Sequence, residues 1–332
     1  MMIMIILTQI SSFVHGSIPL KLDTPNPVRL TWNKISGILR TFVTIILSGE
    51  GSYLSSKSIT YEVPSGNNYL EVFNLIPGKT YLYGVYGISP TGIVTISESS
   101  FTTTGQVRMI KVPYIGNIRD IGGWTAENGK KVKYGLIYRG SEFNPVAEGS
   151  IGLLDVKSRK ILVDKYVGIK GEIDLRGGLS YYFNTRNDTS IQGSLLGSEI
   201  SYTASSYVAY TAAITSGTTI NTIISTLISN LQNNKPTYIH CAGGCDRTGT
   251  LIALILGLCG VSESDLTKDY ELTSFSGQYR SRDSSDYDYS GMIAAIKTYS
   301  GNTFQDKVIS FLTTDGNVNS SDITTLKELL LE

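Results

Sequence analysis

The stretch HCAGGCDRTG, residues 240–249, lies between the short apolar run TYI and the longer apolar run TLIALILGL. This pattern predicts a short buried strand, a loop and an apolar helix. The N–H groups and positive dipole end at the start of such a helix form an anion-binding site. The two cysteines in the stretch leave three interpretations open: a metal site, a redox pair, or a nucleophile in a phosphate-binding loop.

A metal site is the interpretation with the least support. Structural zinc takes about four Cys or His ligands, whereas the chain has 3 cysteines and 2 histidines. Of these, His15 is remote in the sequence and Cys259 lies farther along the apolar helix. We therefore predict no metal ion and no other cofactor.

The nucleophile interpretation accounts for more of the loop. Cys241 lies in the field of the helix N-terminus, which stabilises a thiolate. Arg247 presents a planar fork that suits two phosphate oxygens. Gly243 and Gly244 allow the backbone to approach an anion closely. Thr248 is expected to hydrogen-bond the Cys241 sulfur and ease its departure.

The loop resembles the His-Cys-x5-Arg-Thr-Gly signature of the cysteine-based protein tyrosine phosphatase superfamily. The matching positions are His240, Cys241, Arg247, Thr248 and Gly249. Further segments follow the order typical of a bacterial and fungal branch: GNIRDIGGW (116–124), KKVKYGLIYRGSE (130–142), EIDLR (172–176), DYELTSFS (269–276) and VNSSDITTLKELL (318–330). The resemblance extends from residue 112 to the end of the chain.

The resemblance implies a metal-free phosphatase that works through a phosphocysteine intermediate. It implies that Cys241 attacks phosphorus and that Asp246 is the general acid, with Asp174 at the end of its strand as second choice. Asp188 is not excluded as the acid, and Asp246 has the alternative role of positioning Arg247 or capping the helix. The residues expected around the phosphate are Ala242, Gly243, Gly244, Cys245, Asp246 and Arg247.

One position departs from the branch, whose members commonly carry Lys just before the loop Asp, where this chain has Cys245. The lost charge argues against inositol polyphosphates and phosphoinositides, and favours phosphotyrosine or a small phosphate ester. Cys245 either fills the loop wall or forms a protective disulfide with Cys241. We favour the first, because a disulfide needs the two Cβ atoms within ~4 Å, which a taut loop opposes.

The early motifs contribute residues expected to support the loop. The resemblance places Arg119, Asp120 and Arg139 in an ion-pair scaffold behind it. His240 is expected to fix the loop and the cysteine through hydrogen bonds.

Two other segments are harder to interpret. The tyrosines between residues 270 and 289, with Arg280 and Arg282, either line a substrate groove or, as we favour, belong to a solvated connection between helices. Residues 177–217, rich in Ser, Tyr and Gly, are interpreted as an insertion over the active site.

An all-β segment precedes the motifs. Its short runs predict an antiparallel sandwich: VRLTW (28–32), FVTIILSG (42–49), SITYEV (58–63), NYLEVFNL (68–75), YLYGVYGI (81–88) and VTISESSFTT (94–103). The stretch LIPGKTYLYGVYG (75–87) resembles a corner of fibronectin type III domains, in which a tyrosine hydroxyl, here that of Tyr81, bonds back to the backbone. Trp32 is expected in the core.

The sequence thus predicts two domains and an N-terminal segment. Residues 18–105 are predicted as a fibronectin type III or immunoglobulin-like sandwich. Residues 106–332 are predicted as an α/β tyrosine phosphatase fold, a central sheet flanked by helices. Residues 1–17 are either an apolar arm or a signal segment.

Within the second domain, apolar periodicity predicts the elements. The predicted strands are ILVDKY (161–166), KGEIDL (170–175) and PTYIH (236–240). The predicted helices cover residues 219–234, TGTLIALILGLCG, ESDLTKDYELTSFS, GMIAAIKTYS and SSDITTLKELLLE. Ser321 and Asp322 are the predicted N-cap of the last helix.

Composition restricts the partners. With 28 basic and 28 acidic residues, nothing favours non-specific binding of nucleic acid or anionic membranes. The longest apolar run, residues 251–258, is far short of the ~20 residues of a transmembrane helix. A charged fraction of 17% favours a secreted, cell-surface or virion protein. The expected partners are a phosphorylated protein or small phosphate ester, and a protein bound through the sandwich or the apolar N-terminus.

Three functions compete on these grounds. The first is an active phosphatase of the tyrosine or dual-specificity type. The second is a structural or adhesion component of a bacterial surface or phage particle that retains a weakly active phosphatase fold. The third is an inositol phosphate phosphatase, which shares the mechanism and differs in substrate.

Overall fold

The computed structural model describes residues 27–53, 55–64, 66–143, 154–164, 167–177, 193–216, 219–276, 282–283 and 285–332. The chain divides into two compact units between Arg108 and Met109. The predicted N-terminal arm or signal, residues 1–17, lies outside the described residues.

The first unit is a two-sheet β-sandwich, as predicted. Its strands are β1 (Val28–Thr31), β2 (Arg40–Leu47), β3 (Ile59–Val63), β4 (Tyr69–Val72), β5 (Thr80–Ser89) and β6 (Gly92–Thr102). Strands β1 and β4 form a 2-stranded sheet, and the order β3-β2-β5-β6 forms a 4-stranded sheet. All of these pairs are antiparallel. Leu30 of one sheet and Val43 and Val85 of the other are buried in the core.

The corner before β5 has the predicted tyrosine arrangement. The backbone N–H of Ile76 donates to the Tyr81 hydroxyl at 2.9 Å. The Tyr81 ring stacks on Phe101 with ring centroids 5.6 Å apart, and Trp32 is buried. The predictions for Tyr81 and Trp32 are therefore confirmed.

The second unit is built on a 6-stranded sheet of order β11-β10-β12-β9-β8-β7. The strands are β7 (Arg108–Met109), β8 (Arg119–Asp120), β9 (Ile137–Gly140), β10 (Gly171–Asp174), β11 (Ser201–Ala204) and β12 (Thr237–His240). Strands β9, β12, β10 and β11 run parallel, and β8 is antiparallel to β9. Because β9, β10 and β12 are buried at every position, their apolar side chains form the centre of the core.

Helices accompany this sheet: α1 (Val156–Val163), α2 (Tyr210–Ser216), α3 (Ile220–Gln232), α4 (Asp246–Leu258), α5 (Glu263–Glu271), α6 (Tyr287–Lys297), α7 (Phe304–Thr314) and α8 (Ser320–Leu330). A 3₁₀ helix, Leu272–Ser276, follows α5. Helix α4 is buried from Thr248 to its end, as its apolar sequence predicts. None of the helices in the described ranges is long and apolar enough to cross a membrane.

Two element predictions were wrong. The run ILVDKY (161–166) was predicted as a strand, but residues 161–163 end α1. The Asp155 side chain caps that helix by accepting from the Ser158 N–H at 2.6 Å, and a short apolar run does not separate strand from helix. The N-cap of α8 is Asn319, so Ser321 and Asp322 lie inside the first turn, where the Asp322 charge suits the helix dipole.

Candidate active site

The strand register brings the candidate residues to one edge of the sheet. Asp174 is paired with His240, and His240 with Gly140, at the carboxyl ends of three parallel strands. The loop of residues 241–245 leaves β12 here, and α4 begins at Asp246. This is the position at which open α/β sheets bind ligands.

Close packing against β9 explains one glycine of the loop. Gly244 has a φ of +66°, a conformation that L-residues rarely adopt. A Cβ atom added to it would lie 2.3 Å from the carbonyl carbon and oxygen of Gly140. The loop therefore accepts no side chain at this position.

The carbonyl groups of the loop are bound from outside the loop. The Asn117 side-chain amide donates to the oxygens of Gly243 and Gly244, each at 3.1 Å. The backbone N–H of Glu142 donates to the Ala242 oxygen at 3.0 Å. These bonds fix the orientation of the peptide units, because a carbonyl turned outward leaves its neighbouring N–H turned inward.

The N–H groups of the loop have no such partners. Within the described residues, the backbone N–H groups of residues 242–245 donate no hydrogen bond. Beside them, Arg247 extends from the first turn of α4, where its Nη1 lies 3.5 Å from the Leu175 oxygen. The Thr248 hydroxyl is buried without a partner in the same part of the chain. Unpaired donors at a helix N-terminus constitute an anion site.

A buried ion cluster supports the loop from behind. The Asp269 carboxylate accepts from Arg119 Nε at 2.9 Å and from Arg139 Nη1 at 2.5 Å. Burial raises the pKa of Asp269, but the two arginines outweigh it and lower that pKa from its ordinary value. Arg139 Nη2 also donates to the Gly244 oxygen at 2.6 Å, and Arg119 Nη1 donates to the Asn117 side-chain oxygen at 2.6 Å. Arg119 and Arg139 thus form the expected scaffold.

Asp120 has a different position from the expected one. Its carboxylate accepts from the N–H of Gly122 at 2.9 Å and from the N–H of Gly135 at 2.8 Å. It therefore closes the turn after β8, while Asp269 of α5 is the acid that bridges the two arginines.

His240 is held at both ring nitrogens. Its Nδ1 lies 3.1 Å from the Cys241 oxygen, and its Nε2 lies 2.9 Å from Glu172 Oε1. The Ser194 hydroxyl donates to the other Glu172 oxygen. A backbone carbonyl only accepts, so Nδ1 donates to the Cys241 oxygen, while Nε2 faces the Glu172 carboxyl group. These contacts fix the orientation of the imidazole ring next to the buried Cys241.

Asp174 is a buried partner of Arg176. Its two oxygens accept from Arg176 Nε at 2.8 Å and Nη2 at 2.6 Å, and Tyr202 donates to Oδ2 at 3.2 Å. Arg176 also contacts Glu142. Burial raises the pKa of Asp174, but the charge of His240 and the bonds from Arg176 outweigh it and hold that pKa well below its usual range.

Asp246 has one engaged and one free oxygen. Its Oδ1 accepts from the Tyr210 hydroxyl at 2.5 Å and from Arg282 Nη2 at 2.7 Å. Its Oδ2 has no hydrogen-bond partner in the part of the chain that the structure describes. The side chain is 45% exposed, so this carboxyl group is accessible from the solvent side of the loop.

Cys245 is a buried free thiol. It donates to the Gly243 oxygen at 3.2 Å, and the Asn117 amide lies 3.7 Å from its sulfur. Burial, with a smaller contribution from Cys241, raises its pKa to about 12. A thiol held in its protonated form attacks other sulfur groups poorly, which favours its interpretation as part of the loop wall.

Residues 277–281 and 284, between α5 and α6, lie outside the described residues, and Tyr287 at the start of α6 is exposed. Tyr270 and Tyr289 are buried and stack with ring centroids 4.2 Å apart. Arg282 contacts Asp246. The predictions for Arg280 and Asp188 lie outside the described residues.

Sequence reasoning missed several residues of the site, Asn117, Glu142, Glu172 and Tyr210, and it favoured a solvated position over a groove position for Arg282. The first three lie inside the quoted motifs GNIRDIGGW, KKVKYGLIYRGSE and EIDLR, so their position was a usable signal. Tyr210 and Arg282 have no local signal, because each is 36 residues from Asp246 in the sequence.

Comparisons with known proteins agree with this geometry for the second unit. A model described as "Tyrosine phosphatase family" matches residues 110–332. A solution structure of the fn3 domain of human collagen alpha-1(XX) chain is 21% identical, covers 28% of this chain and 91% of its own, and has a TM-score of 0.21. No curated protein matches the chain. Because the family model spans well over half of the 332 residues, the chain belongs to the tyrosine phosphatase family.

Proposed function

We propose that the protein hydrolyses phosphate monoesters of the phosphotyrosine or dual-specificity type through a phosphocysteine intermediate, without a metal ion. The observation that supports it best is the loop of residues 241–247. The carbonyl groups of residues 242–244 are bound from outside, the N–H groups of residues 242–245 donate no hydrogen bond within the described residues, and Cys241 lies at the start of the loop. The membership in the phosphatase family supports the same reaction class.

In the first step the Cys241 thiolate attacks phosphorus. A sulfur–phosphorus bond forms as the ester phosphorus–oxygen bond breaks. The charge on the equatorial oxygens is stabilised by the loop N–H groups and the Arg247 guanidinium. The α4 dipole stabilises the thiolate before attack. The leaving oxygen takes a proton from Asp246.

In the second step water replaces the sulfur. Asp246, now ionised, takes a proton from the attacking water, and the phosphorus–sulfur bond breaks as inorganic phosphate forms. The Thr248 hydroxyl, which has no partner among the described residues, is available to donate to the departing sulfur. Together, the two steps return Cys241 to the thiolate and Asp246 to its protonated form.

The contacts of the two aspartates support Asp246 as the acid. Asp174 is enclosed by Arg176 and stays ionised because its pKa is lowered, so it has no proton to give. We assign it a structural role, since it holds the end of β10, where the Leu175 oxygen lies beside Arg247. Asp246 is partly exposed, and its Oδ2 accepts no hydrogen bond from the described residues.

The charge around the loop supports a simple monoester as substrate. Arg282 brings a cation to the rim, but it is paired with Asp246 and adds little net charge. Cys245 occupies the position of the lysine in related sequences and is neutral, because burial raises its pKa to about 12. A substrate with several phosphate groups needs more positive charge than this. We therefore propose phosphotyrosine or a small phosphate ester.

Hydrolysis of an aryl phosphate by the full chain and by Cys241→Ser tests the proposal. We expect turnover that EDTA leaves unchanged, that vanadate inhibits, and that the substitution lowers by at least about 10⁴-fold. Freshly reduced protein without turnover would contradict the proposal and favour the structural or adhesion role. Faster turnover of inositol phosphates than of aryl phosphates would favour the third interpretation.

A further inference from the structure

Tyr210, the first residue of α2, has an unusual backbone. Its φ is 56°, in the left-handed region that bulky residues rarely adopt. Such a conformation costs roughly 1–3 kcal/mol and persists only where the surrounding structure enforces it. Here both the backbone N–H and the hydroxyl of Tyr210 bond to residues of α4.

Tyr210 is fixed to α4 at both ends. Its backbone N–H donates to the Thr250 hydroxyl at 2.8 Å, and that hydroxyl donates to the Asp246 backbone oxygen at 2.9 Å. Its own hydroxyl donates to Asp246 Oδ1 at 2.5 Å. These bonds close a ring through Tyr210, Thr250 and Asp246. The left-handed backbone thus brings the Tyr210 ring to the Asp246 carboxyl group.

The ring of bonds distinguishes the two oxygens of Asp246. Oδ1 accepts from Tyr210 and from Arg282 Nη2 at 2.7 Å, whereas Oδ2 has no partner within the described residues. Two donors at Oδ1 leave no room for a proton there. The transferable proton therefore belongs on Oδ2.

We propose that Tyr210 is the positioning residue of the general acid Asp246, and that it fixes Oδ2 as the oxygen that gives the proton. The inference rests on the proposed function of Asp246. In the transfer the Oδ2–H bond breaks and an O–H bond forms on the leaving group. The negative charge left on the carboxylate is stabilised by the hydrogen bonds that Oδ1 accepts from Tyr210 and Arg282.

Tyr270 supports Tyr210 from behind. Its hydroxyl lies 3.2 Å from that of Tyr210 and donates to Asp286 Oδ2 at 3.0 Å. The two rings meet edge to face with centroids 6.4 Å apart. Burial, followed by the hydrogen bond to Asp246, raises the pKa of Tyr210 far above its usual value. Tyr210 is therefore a neutral donor throughout the working pH range.

The test compares two leaving groups in the full chain. Protonation matters for phenyl phosphate, a poor leaving group, and is unnecessary for 2,4-dinitrophenyl phosphate. We expect Tyr210→Phe to lower kcat/KM for phenyl phosphate about tenfold, a part of the effect of a complete general acid. Its kcat/KM for 2,4-dinitrophenyl phosphate should stay within about twofold of wild type, because kcat/KM covers the steps up to loss of the leaving group and this leaving group needs no proton.

Tyr289→Phe is the matched control. Tyr289 is a buried tyrosine of the same cluster, its ring stacks on Tyr270, and its hydroxyl lies 3.4 Å from Thr267 Oγ1. It has no contact with Asp246 in the described part of the chain. We expect this variant to hydrolyse both esters like wild type. If the loss in Tyr210→Phe came from packing of the tyrosine cluster alone, Tyr289→Phe should lose activity as well.

A double substitution separates this inference from the proposed function. In an Asp246→Asn background, Tyr210→Phe should have no further effect on phenyl phosphate, since it acts through Asp246. Equal losses on both esters, no loss, or additive losses in the double variant would overturn the positioning role. If Asp246→Asn selectively loses activity on phenyl phosphate and Tyr210→Phe does not, only the positioning role of Tyr210 fails. If Cys241→Ser keeps turnover, the proposed function fails with it.

Discussion

At the residue scale, the contacts of the two aspartates decide their chemistry. Asp174 accepts hydrogen bonds from Arg176 and Tyr202 and is fully buried. Asp246 is 45% exposed, and its Oδ2 has no hydrogen-bond partner among the residues that the structure describes. One carboxyl group therefore maintains the geometry of the strand end, and the other is available for proton transfer.

The pairing of Asp174 predicts a pH-dependent stability. Its native pKa is lowered from an unfolded value of about 3.9. A lowered pKa stabilises the fold above the unfolded value, and this stabilisation begins to fall near pH 4 and is fully lost only below the lowered native pKa. We expect Asp174→Asn to lower the free energy of unfolding by about 3–5 kcal/mol at pH 7. The difference from wild type should shrink below about pH 4.

Urea unfolding at a series of pH values between neutral and acid measures this difference. Asp288→Asn, an exposed aspartate in the first turn of α6, is the control, and it should change stability by no more than about 0.5 kcal/mol. A difference between Asp174→Asn and wild type that stays constant down to the lowest pH would contradict the assigned pairing.

At the element scale, the loop between β12 and α4 keeps its conformation because it packs tightly on the end of β9. Gly244→Ala adds a Cβ 2.3 Å from the backbone of Gly140 at a φ of +66°. We expect a loss of well over 1 kcal/mol of stability and at least about tenfold weaker binding of vanadate, since the loop N–H groups must shift.

Gly129→Ala is the control for the backbone conformation alone. Gly129 has a φ of +84° and nothing within 4 Å of an added Cβ, so its substitution carries the cost of the left-handed residue without the clash. Thermal unfolding and vanadate titration of both variants separate the two effects. Equal behaviour of the two variants would show that the contact with Gly140 is unimportant.

The success of sequence reasoning also follows the elements. The strand, loop and helix of residues 237–258 were predictable, because apolar periodicity and the glycines act locally. The run at residues 161–163 was wrongly predicted as a strand. Its helix begins at the Asp155 cap, six residues earlier, which a short apolar run does not reveal. Tyr210 was missed, and the contact of Arg282 with Asp246 was not predicted, since a lone tyrosine or arginine shows no partner until the chain folds and brings it to Asp246.

At the scale of the whole molecule, the chemistry belongs to one of the two units. The described groups that form the site begin at Asn117 and end at Arg282, all within the second unit. The family match likewise begins at residue 110. The sandwich supplies none of these described groups, and its predicted protein partner stays a prediction.

This division predicts that the second unit hydrolyses small esters without the first. A fragment of residues 106–332 should have a kcat/KM for an aryl phosphate within about threefold of the full chain, because a small ester contacts only the loop and its rim. Vanadate should bind both proteins alike. The measurement is steady-state kinetics beside thermal unfolding of each protein. A folded fragment with more than about tenfold lower kcat/KM would mean that the sandwich takes part in the site. Equal hydrolysis of the small ester by the fragment and the full chain would instead mean that any contribution of the sandwich concerns only larger, phosphorylated protein substrates.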